Sequence, residues 1–304
     1  MRARLLPFLV LGTGVAVVSF ASILIRLAQA EGASSLTISA VRLSLASLLL
    51  APIVWARNRA EILRLGSREL GLCLLSGVFL ALHFWTWITS LEYTSVASSA
   101  ALVTTNPLWV ALLSVLWLRE RPGQFAILGI ALSIVGSVLI FAGDAGAPSI
   151  DASDSSFGNA LALAGAVFAS GYLLVGRALR SRISLLAYVW LAYTAAAILL
   201  LLGVVIAGDA TQFPAPAAWI FMVLLALGPQ LIGHTAFNWA LRRMSATFVA
   251  VAILGEPVGS AVLAYLLLGE SLGSMQFAGF VVLLSGIFVA AQGEKSRAPE
   301  DRET

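Results

Sequence analysis

Long apolar runs fill most of this sequence, and short polar stretches separate them. Ten runs have roughly the 20 residues that a helix needs to cross the hydrocarbon core of a bilayer. They lie at about 5–29, 35–56, 70–91, 94–118, 123–142, 156–177, 184–207, 215–240, 245–268 and 273–292. They are too long and too continuous for barrel strands, which alternate over about ten residues. The pattern predicts an all-α membrane protein with ten transmembrane helices in one compact bundle.

The second half of the chain repeats the first. Residues 95–141 align without a gap to residues 245–291, at an offset of 150, and 11 of the 47 positions are identical. The informative matches are the less common residues: Pro107 with Pro257, Glu120 with Glu270, Gly123 with Gly273, Gly129 with Gly279, and Gly136 with Gly286. We therefore predict two five-helix repeats, 1–143 and 156–292, with an external linker at 144–155 and a disordered cytoplasmic tail at 293–304.

The composition requires a lipid environment. Hydrophobic residues make up 60% of the 304-residue chain, charged residues make up 11%, and the mean hydropathy is +0.97. A soluble domain carries about 25% charged residues. The charge that remains is sorted by loop, since every Lys and Arg except Arg26 and Arg42 lies at a terminus or at an even-numbered loop. The positive-inside rule then places both termini in the cytoplasm. The net charge of +3 reflects this topology, and we expect no nucleic-acid partner.

A duplicated unit of five helices must be inverted. Because five is odd, the unit enters on one side of the membrane and leaves on the other, so its copy lies upside down. Inverted repeats are common in secondary transporters, where the substrate site lies near the midplane between the repeats. The sequence thus favours alternating access, in which the halves exchange conformations.

The N-terminus imitates a secretory signal. Arg2 and Arg4 precede the first apolar run, and Ala28-Gln29-Ala30 follows it. The run is longer than a typical signal core, and cleavage would remove one span and disrupt the charge pattern. We expect the first helix to be retained.

Several classes of chemistry are disfavoured. A single cysteine, Cys73, excludes a disulfide framework and a cysteine-based metal site. The motifs H-E-x-x-H, G-x-S-x-G and G-x-x-x-x-G-K-[ST] are absent. We therefore predict no enzyme, no metal, no cofactor and no ATPase, so any driving force is a gradient.

Two equivalent positions in the repeats combine a polar residue with a proline. Asn106 precedes Pro107 in the fourth helix, and Glu256 precedes Pro257 in the ninth. Proline removes a backbone donor and kinks a helix, so we predict hinges at Pro107 and Pro257. Glu256 is the one acid deep in a predicted span, and an intramembrane carboxylate indicates a functional site. The alternative is a structural kink without ligand contact.

Polar and aromatic pairs extend this candidate site. His83 and Trp87 are four residues apart in the third helix, and His234 and Asn238 are four apart in the eighth, so each pair shares a helix face. Trp109 follows Asn106 by three residues. The predicted substrate-binding residues are His83, Trp87, Asn106, Trp109, His234, Asn238 and Glu256. In the alternative, each histidine only bonds to a neighbouring helix.

Arg42 lies about two turns inside the second helix. An arginine at that depth is costly if it faces lipid, so it should face the bundle or reach outward. We predict a structural or gating role, such as an ion pair with Glu92 or Glu31.

Together these features resemble the drug/metabolite transporter superfamily in its ten-helix form with two EamA-type repeats. The resemblance covers residues 5–292 and rests on the duplicated unit, Arg42, the polar-Pro pairs, and the patterns Glu120…Gly129…Gly136 and Glu270…Gly279…Gly286. The second half departs from the first, with Leu191 where the first half has Arg42.

Membership implies a multi-pass exporter of the bacterial inner (plasma) membrane for small metabolites, with a cavity lined by helices 1, 3, 4, 6, 8 and 9. Within the superfamily the chain is most similar to amino-acid exporters, including the aromatic amino acid and methyl viologen type. The expected partners are a small-molecule substrate and the lipid bilayer, and the pattern is compatible with a monomer. A carrier of cationic drugs is the alternative, and a channel or sensory scaffold fits less well.

Overall fold

A computed structural model describes residues 2–93, 99, 102–103, 105–119, 122–143, 152–209, 214–268 and 273–295. Its helices match the ten apolar runs, and we number them α1 to α10. Their bounds are Arg2–Val18 and Ala21–Ala30 (α1), Ser35–Ile62 (α2), Ser67–Tyr93 (α3), Asn106–Leu113 with a π-helical turn Ser114–Leu118 (α4), Gln124–Gly143 (α5), Ala152–Leu179 (α6), Leu185–Ala207 (α7), Pro216–Leu225, π-helical Ala226–His234 and Thr235–Ala240 (α8), Ala246–Ile253 and Gly255–Leu268 (α9), and Ser274–Lys295 (α10). Within these ranges six helices are long and apolar enough to cross a membrane, and four shorter helices are also apolar.

Parts of the predicted organisation lie outside the described residues. These are most of 94–104, positions 144–151 of the predicted linker, 296–304 of the predicted tail, and residues 1, 120–121, 210–213 and 269–272. Glu120 and Glu270 of the repeat patterns are therefore among the positions outside the described residues. The all-helical, ten-helix fold in two repeats is nevertheless confirmed by the helices that the structure does describe.

Helix packing follows the duplication. The helix α3 packs on α6, and α1 packs on α8, which is the same pair with the two repeats exchanged. The pairs α2 with α7, α4 with α9, and α5 with α10 each join a helix to its own counterpart. A pseudo-twofold axis between the halves accounts for all five pairs.

The helix α2 is locked to α7 at both ends by matching serine caps. Ser34 Oγ accepts from the Thr37 amide at the start of α2, and Ser184 Oγ accepts from the Ala187 amide at the start of α7. Each capping hydroxyl also donates to a carboxylate near the end of the other helix, Ser34 to Asp209 and Ser184 to Glu61, both at 2.5 Å. The two caps are 150 residues apart, so the repeat offset holds here as well. It follows that Ala192, rather than Leu191, is the counterpart of Arg42.

Hydrogen bonds sort the loops onto two opposite faces. On one face, the Ser184 amide donates to Glu61, and Arg177 donates to the Leu241 carbonyl at 2.7 Å. On the other face, the Ala215 amide donates to the Glu31 carbonyl at 3.0 Å. We call these the Arg243 face (loops 62–67, 180–184 and 241–245) and the Glu31 face (residues 31–34, 208–209 and 214–215). Chain direction therefore alternates as the apolar pattern predicts.

The small-residue ridge of α5 allows close contact with α10. A Cβ on Gly136 would lie 2.5 Å from the Leu283 amide nitrogen, and one on Gly129 would lie 2.7 Å from the Gly286 carbonyl oxygen. Only glycine fits at these points, and this is how small residues bring membrane helices together. The repeated glycines Gly129 and Gly136 thus form an interface between the two repeats.

The outer surface is apolar, as a lipid environment requires. Large side chains such as Leu116, Ile206 and Leu266 are exposed. The buried interior is rich in alanine and also contains polar side chains. Because lipid offers no hydrogen bonds, those polar groups need partners inside the bundle.

Candidate functional site

The helix α6 supplies the backbone on which two predicted site residues rest. His83 Nδ1 lies 2.9 Å from the Gly165 carbonyl oxygen, so this nitrogen carries the proton and donates. The Asn106 amide nitrogen donates to Ser170 Oγ at 3.0 Å and to the neighbouring Ala166 carbonyl at 3.3 Å. Residues 165–170 of α6 therefore form hydrogen bonds to both α3 and the start of α4.

Trp87 places a second aromatic ring beside His83. Its ring stacks on His83, with centroids 5.8 Å apart and an interplanar angle of 7°. The Trp87 backbone runs against α6 at Gly165, where an added Cβ would approach the Trp87 Cβ to 3.2 Å. The predicted His83–Trp87 face is present and lies against the second repeat.

Phe84 joins three polar side chains from three helices. The guanidinium carbon of Arg42 lies 4.1 Å from the ring centroid of Phe84. The rings of His83 and His234 have centroids 4.9 Å and 5.2 Å from the same ring. We call Arg42, His83, Phe84, Gln230 and His234 the Phe84 cluster. It joins α2 and α3 of the first repeat to α8 of the second.

Arg42 bonds to α8. Its Nε donates to Gln230 Oε1 at 2.8 Å, and its guanidinium packs on Phe84 in a cation–π arrangement. The suggested ion pairs with Glu31 or Glu92 are wrong. The Glu92 carboxylate instead accepts from the Ser35 amide at the start of α2. Arg42 lies too deep in α2 to meet either acid, and a partner on α8 is nearer.

The unusual backbone of α8 places Gln230 and His234 in the interior. A π-helical stretch runs from Ala226 to His234 and contains Pro229, and such stretches are frequent at functional sites. The Gln230 carbonyl accepts from Tyr193 Oη at 3.3 Å, which connects this stretch to α7. Gln230 is fully buried, while His234 retains 9% exposure.

Asn238 lies one helical turn beyond His234 and faces α6. Its amide nitrogen donates to Tyr172 Oη and, at 2.8 Å, to the His234 carbonyl. Its side-chain oxygen is buried without a hydrogen-bond partner. The predicted pair is therefore brought together, with His234 in the Phe84 cluster and Asn238 beside it.

The two polar-Pro pairs stand at helix breaks, which revises the expected kinks. The turn at Thr105 precedes α4, and the turn at Leu254 separates the two segments of α9. Pro107 and Pro257 thus lie in the first turn of a new segment, where a proline costs no helical hydrogen bond. The chain is interrupted just before each proline instead of bending through it.

Glu256 occupies the same first turn in α9. A carboxylate there is stabilised by the positive end of the helix dipole. The described side chains of Glu256 and Arg42 form no ion pair within 4.0 Å. One turn further, Ser260 Oγ donates to the Ser19 carbonyl at 2.8 Å, at the break in α1. The second segment of α9 therefore rests on the broken part of α1.

Trp109 is the predicted site residue least connected to this cluster. Its indole nitrogen donates at 3.2 Å to Oγ1 of Thr105, the residue just before α4. Sequence reasoning missed Phe84, Gln230 and Tyr193. Gln230 follows Pro229 within a span, and that polar-proline combination would have identified it. Phe84 and Tyr193 carry no such signal.

Among the described residues, no group of three His, Cys, Asp or Glu side chains could hold a metal ion.

With this geometry in view, the duplication can be compared with known proteins. A model of the EamA-like transporter family matches residues 6–142 and, separately, residues 156–292. The chain belongs to this family. The resemblance drawn from the sequence is thereby confirmed, and the EamA repeats are the two five-helix units of the structure.

Relatives of this EamA protein are also transporters. An uncharacterized transporter of Clostridium kluyveri is 25% identical over 255 residues, covering 82% of this chain and 81% of the relative. One from Archaeoglobus fulgidus is 24% identical over 246 residues, covering 80% and 82%. The uncharacterized transporter YetK of Bacillus subtilis is 23% identical over 226 residues, covering 74% and 64%.

The fold of this EamA protein is also found in a solved crystal structure. The two superpose with a TM-score of 0.78 at 18% identity, over 95% of this chain and 98% of the other. This likeness concerns the fold alone. Together, the family match and the relatives establish a multi-pass membrane transporter.

Proposed function

We propose that this protein is a secondary transporter that exports small metabolites across the bacterial inner membrane by alternating access. The proposed substrates are amino acids, aromatic or otherwise neutral. The observation that carries the proposal is the matching position of Pro107 and Pro257, since each lies in the first turn of a helical segment that begins after a turn, at Thr105 before α4 and at Leu254 in α9. Equivalent breaks in inverted repeats allow two related conformations, each open to a different side.

The proposed substrate site lies between the repeats, around the Phe84 cluster and Glu256. His83, Trp87 and Phe84 supply aromatic surfaces, while His234, Asn238 and Glu256 supply polar atoms. Small-molecule sites typically combine apolar walls with a few polar groups that fix the orientation of the ligand. Asn106 and Trp109 would contribute from α4, and Pro107 and Pro257 would act as hinges.

A second candidate is efflux of cationic compounds. Glu256 favours it, because a carboxylate within a membrane span suits an organic cation. The two functions differ in what the substrate must carry, so a panel of chemically matched solutes separates them.

Counterflow in proteoliposomes tests the transport proposal. Vesicles preloaded with unlabelled L-phenylalanine should accumulate labelled L-phenylalanine transiently, because a carrier exchanges solutes whereas a simple pore does not. The panel also includes other amino acids and cationic drugs, with and without a pH gradient. Accumulation restricted to cationic drugs would favour the second candidate. Equal fluxes with and without preloading would contradict a carrier.

Glu256→Gln tests the place of the carboxylate in the site. The substitution keeps size and hydrogen-bonding capacity, so the helix should form and insert, while flux should fall by about tenfold or more. Glu31→Gln is the matched control, because Glu31 is exposed at a loop. Unchanged flux in Glu256→Gln would remove Glu256 from the transport cycle.

A further inference from the structure

We propose that Arg42, assisted by Gln230, binds the carboxylate of the transported substrate. This role goes beyond the structural or gating role that the sequence predicts for Arg42. The inference rests on the proposed function and defines its substrate class as compounds that carry a free carboxylate.

The first observation is a cluster of buried donors without acceptors. Both terminal nitrogens of Arg42, Nη1 and Nη2, are buried and have no hydrogen-bond partner, and the same holds for Gln230 Nε2. The orientation of the Gln230 amide is fixed, because the guanidinium has no acceptor and Arg42 Nε must therefore meet the oxygen. All three unused atoms are donors, so the missing partner is an acceptor.

The chemistry of the missing partner follows from the guanidinium. Arginine presents its terminal N–H groups as a planar fork that fits a carboxylate with two parallel hydrogen bonds. Arg42 has no exposed surface and its charge has no paired anion. An uncompensated buried cation is strongly unfavourable. An anion with two oxygens in one plane would satisfy both terminal nitrogens and the charge together.

The described part of the chain does not supply this anion. Glu92 accepts from the Ser35 amide, and Glu31 is exposed at the Glu31 face. Glu256 does not pair with Arg42, since their nitrogen and oxygen atoms are more than 4.0 Å apart. The substrate carboxylate would supply the missing anion, and Glu256, which Arg42 does not engage, would be available to an ammonium group of the same substrate.

The surroundings of Arg42 match the rest of such a substrate. Phe84 covers the guanidinium, and His83 and His234 contact the same ring. An apolar side chain would find aromatic surface beside the carboxylate. Because Arg42 is fully buried in this conformation, the substrate can reach it only when Phe84 or its helix moves, as alternating access requires.

Binding to the purified full-length protein in detergent tests the inference apart from transport. The probes are L-phenylalanine, 3-phenylpropionate and 2-phenylethylamine, which share a phenyl group and differ in their charged groups. Titration calorimetry should show the two carboxylates binding at least about tenfold more tightly than the amine. Arg42→Lys keeps the charge but loses the fork, so it should weaken both carboxylates by about tenfold or more and the amine by less than about twofold.

Controls separate binding from folding. Arg59→Lys makes the same change at an exposed arginine and should alter no affinity. Gln230→Met removes the neighbouring donors while Arg42 remains, and it should weaken carboxylates by a smaller factor. Thermal unfolding of each variant checks the fold. If Arg42→Lys does not fold, Gln230→Met gives the decisive comparison of carboxylate with amine.

The outcomes distinguish this inference from the proposed function. Carboxylate binding without any flux would support the site and refute transport of these solutes. Flux of 2-phenylethylamine without carboxylate binding would refute the site and leave a transporter of cations. Equal weakening of all three probes by Arg42→Lys would overturn the inference and make Arg42 a structural residue. Failure of both carboxylates to bind the wild-type protein at about 10 mM would overturn it as well.

Discussion

The two ring nitrogens of His83 differ in their surroundings, which allows two separate roles. Nδ1 donates to the Gly165 carbonyl and ties α3 to α6. Because that bond fixes the proton on Nδ1, Nε2 of the neutral ring is an acceptor. A structural role of His83 and a role in substrate binding are therefore compatible, because the first uses Nδ1 and the second would use Nε2.

Two substitutions at His83 separate these roles. Asparagine places an N–H near the position of Nδ1, so His83→Asn should keep the bond to Gly165 and fold normally while the KM for substrate rises about fivefold or more. His83→Ala removes this second hydrogen bond to the Gly165 carbonyl, which keeps its bond within α6, so it should cost about 0.5–1.5 kcal/mol of stability. Flux kinetics and thermal unfolding measure the two effects. A normal KM in both variants would give His83 a purely structural role.

The prolines of α4 and α9 act at the scale of the element. Each occupies the first turn of a segment, where it prevents the preceding segment from continuing as a straight helix. We therefore propose that the conformational change takes place at the break in the helix, and does not require a strained helix.

Replacement of Pro257 tests the importance of the break in α9. Pro257→Ala lets the helix continue through Leu254, so we expect a folded protein with a transport rate lowered by about fivefold or more. Pro52→Ala is the control, since Pro52 is exposed within α2, and its flux should stay within about twofold of wild type. Transport rates of both variants, measured in proteoliposomes, test this prediction. Similar fluxes in the two variants would argue against a hinge at Pro257.

The close packing of α5 against α10 is the second feature at the scale of the element. A methyl group at Gly136 would overlap the backbone of α10, whereas one at Gly12 would meet open space. Gly136→Ala should therefore destabilise by about 1–3 kcal/mol through overpacking. Gly12→Ala should be neutral or stabilise by about 0.5–1 kcal/mol, because alanine favours the helix. Thermal unfolding in detergent compares them, and equal melting temperatures would contradict this packing.

At the scale of the whole molecule, the distribution of charge suggests how the bundle sits in the membrane. The Arg243 face carries arginines from three loops, including Arg182 and Arg243. Its hydrogen bonds join these loops, so the basic residues form one surface. The positive-inside rule predicts that this surface faces the cytoplasm.

Labelling of single introduced cysteines tests the orientation. Arg182→Cys and Arg243→Cys should react with a membrane-impermeant thiol reagent only after the cells are opened. Glu31→Cys and Gly273→Cys should react in intact cells. The native Cys73 is fully buried and serves as an internal negative control. Reversed accessibility of the two pairs would invert the predicted topology.

The sequence by itself determined the ten spans, the duplication and its inversion, because hydrophobic length, repeat offset and the parity of five helices need no knowledge of contacts. It also located the polar-Pro pairs and the two histidines. Only the tertiary structure decided how these residues meet. Arg42 meets Gln230 across 188 positions of sequence, and Phe84 gathers side chains from three helices. The sequence does not indicate which residues will surround a buried phenylalanine. Whether a polar atom lacks a hydrogen-bond partner is known only when the positions of all nearby atoms are known. The donors of Arg42 therefore became evident from packing, although the arginine itself was visible from the start.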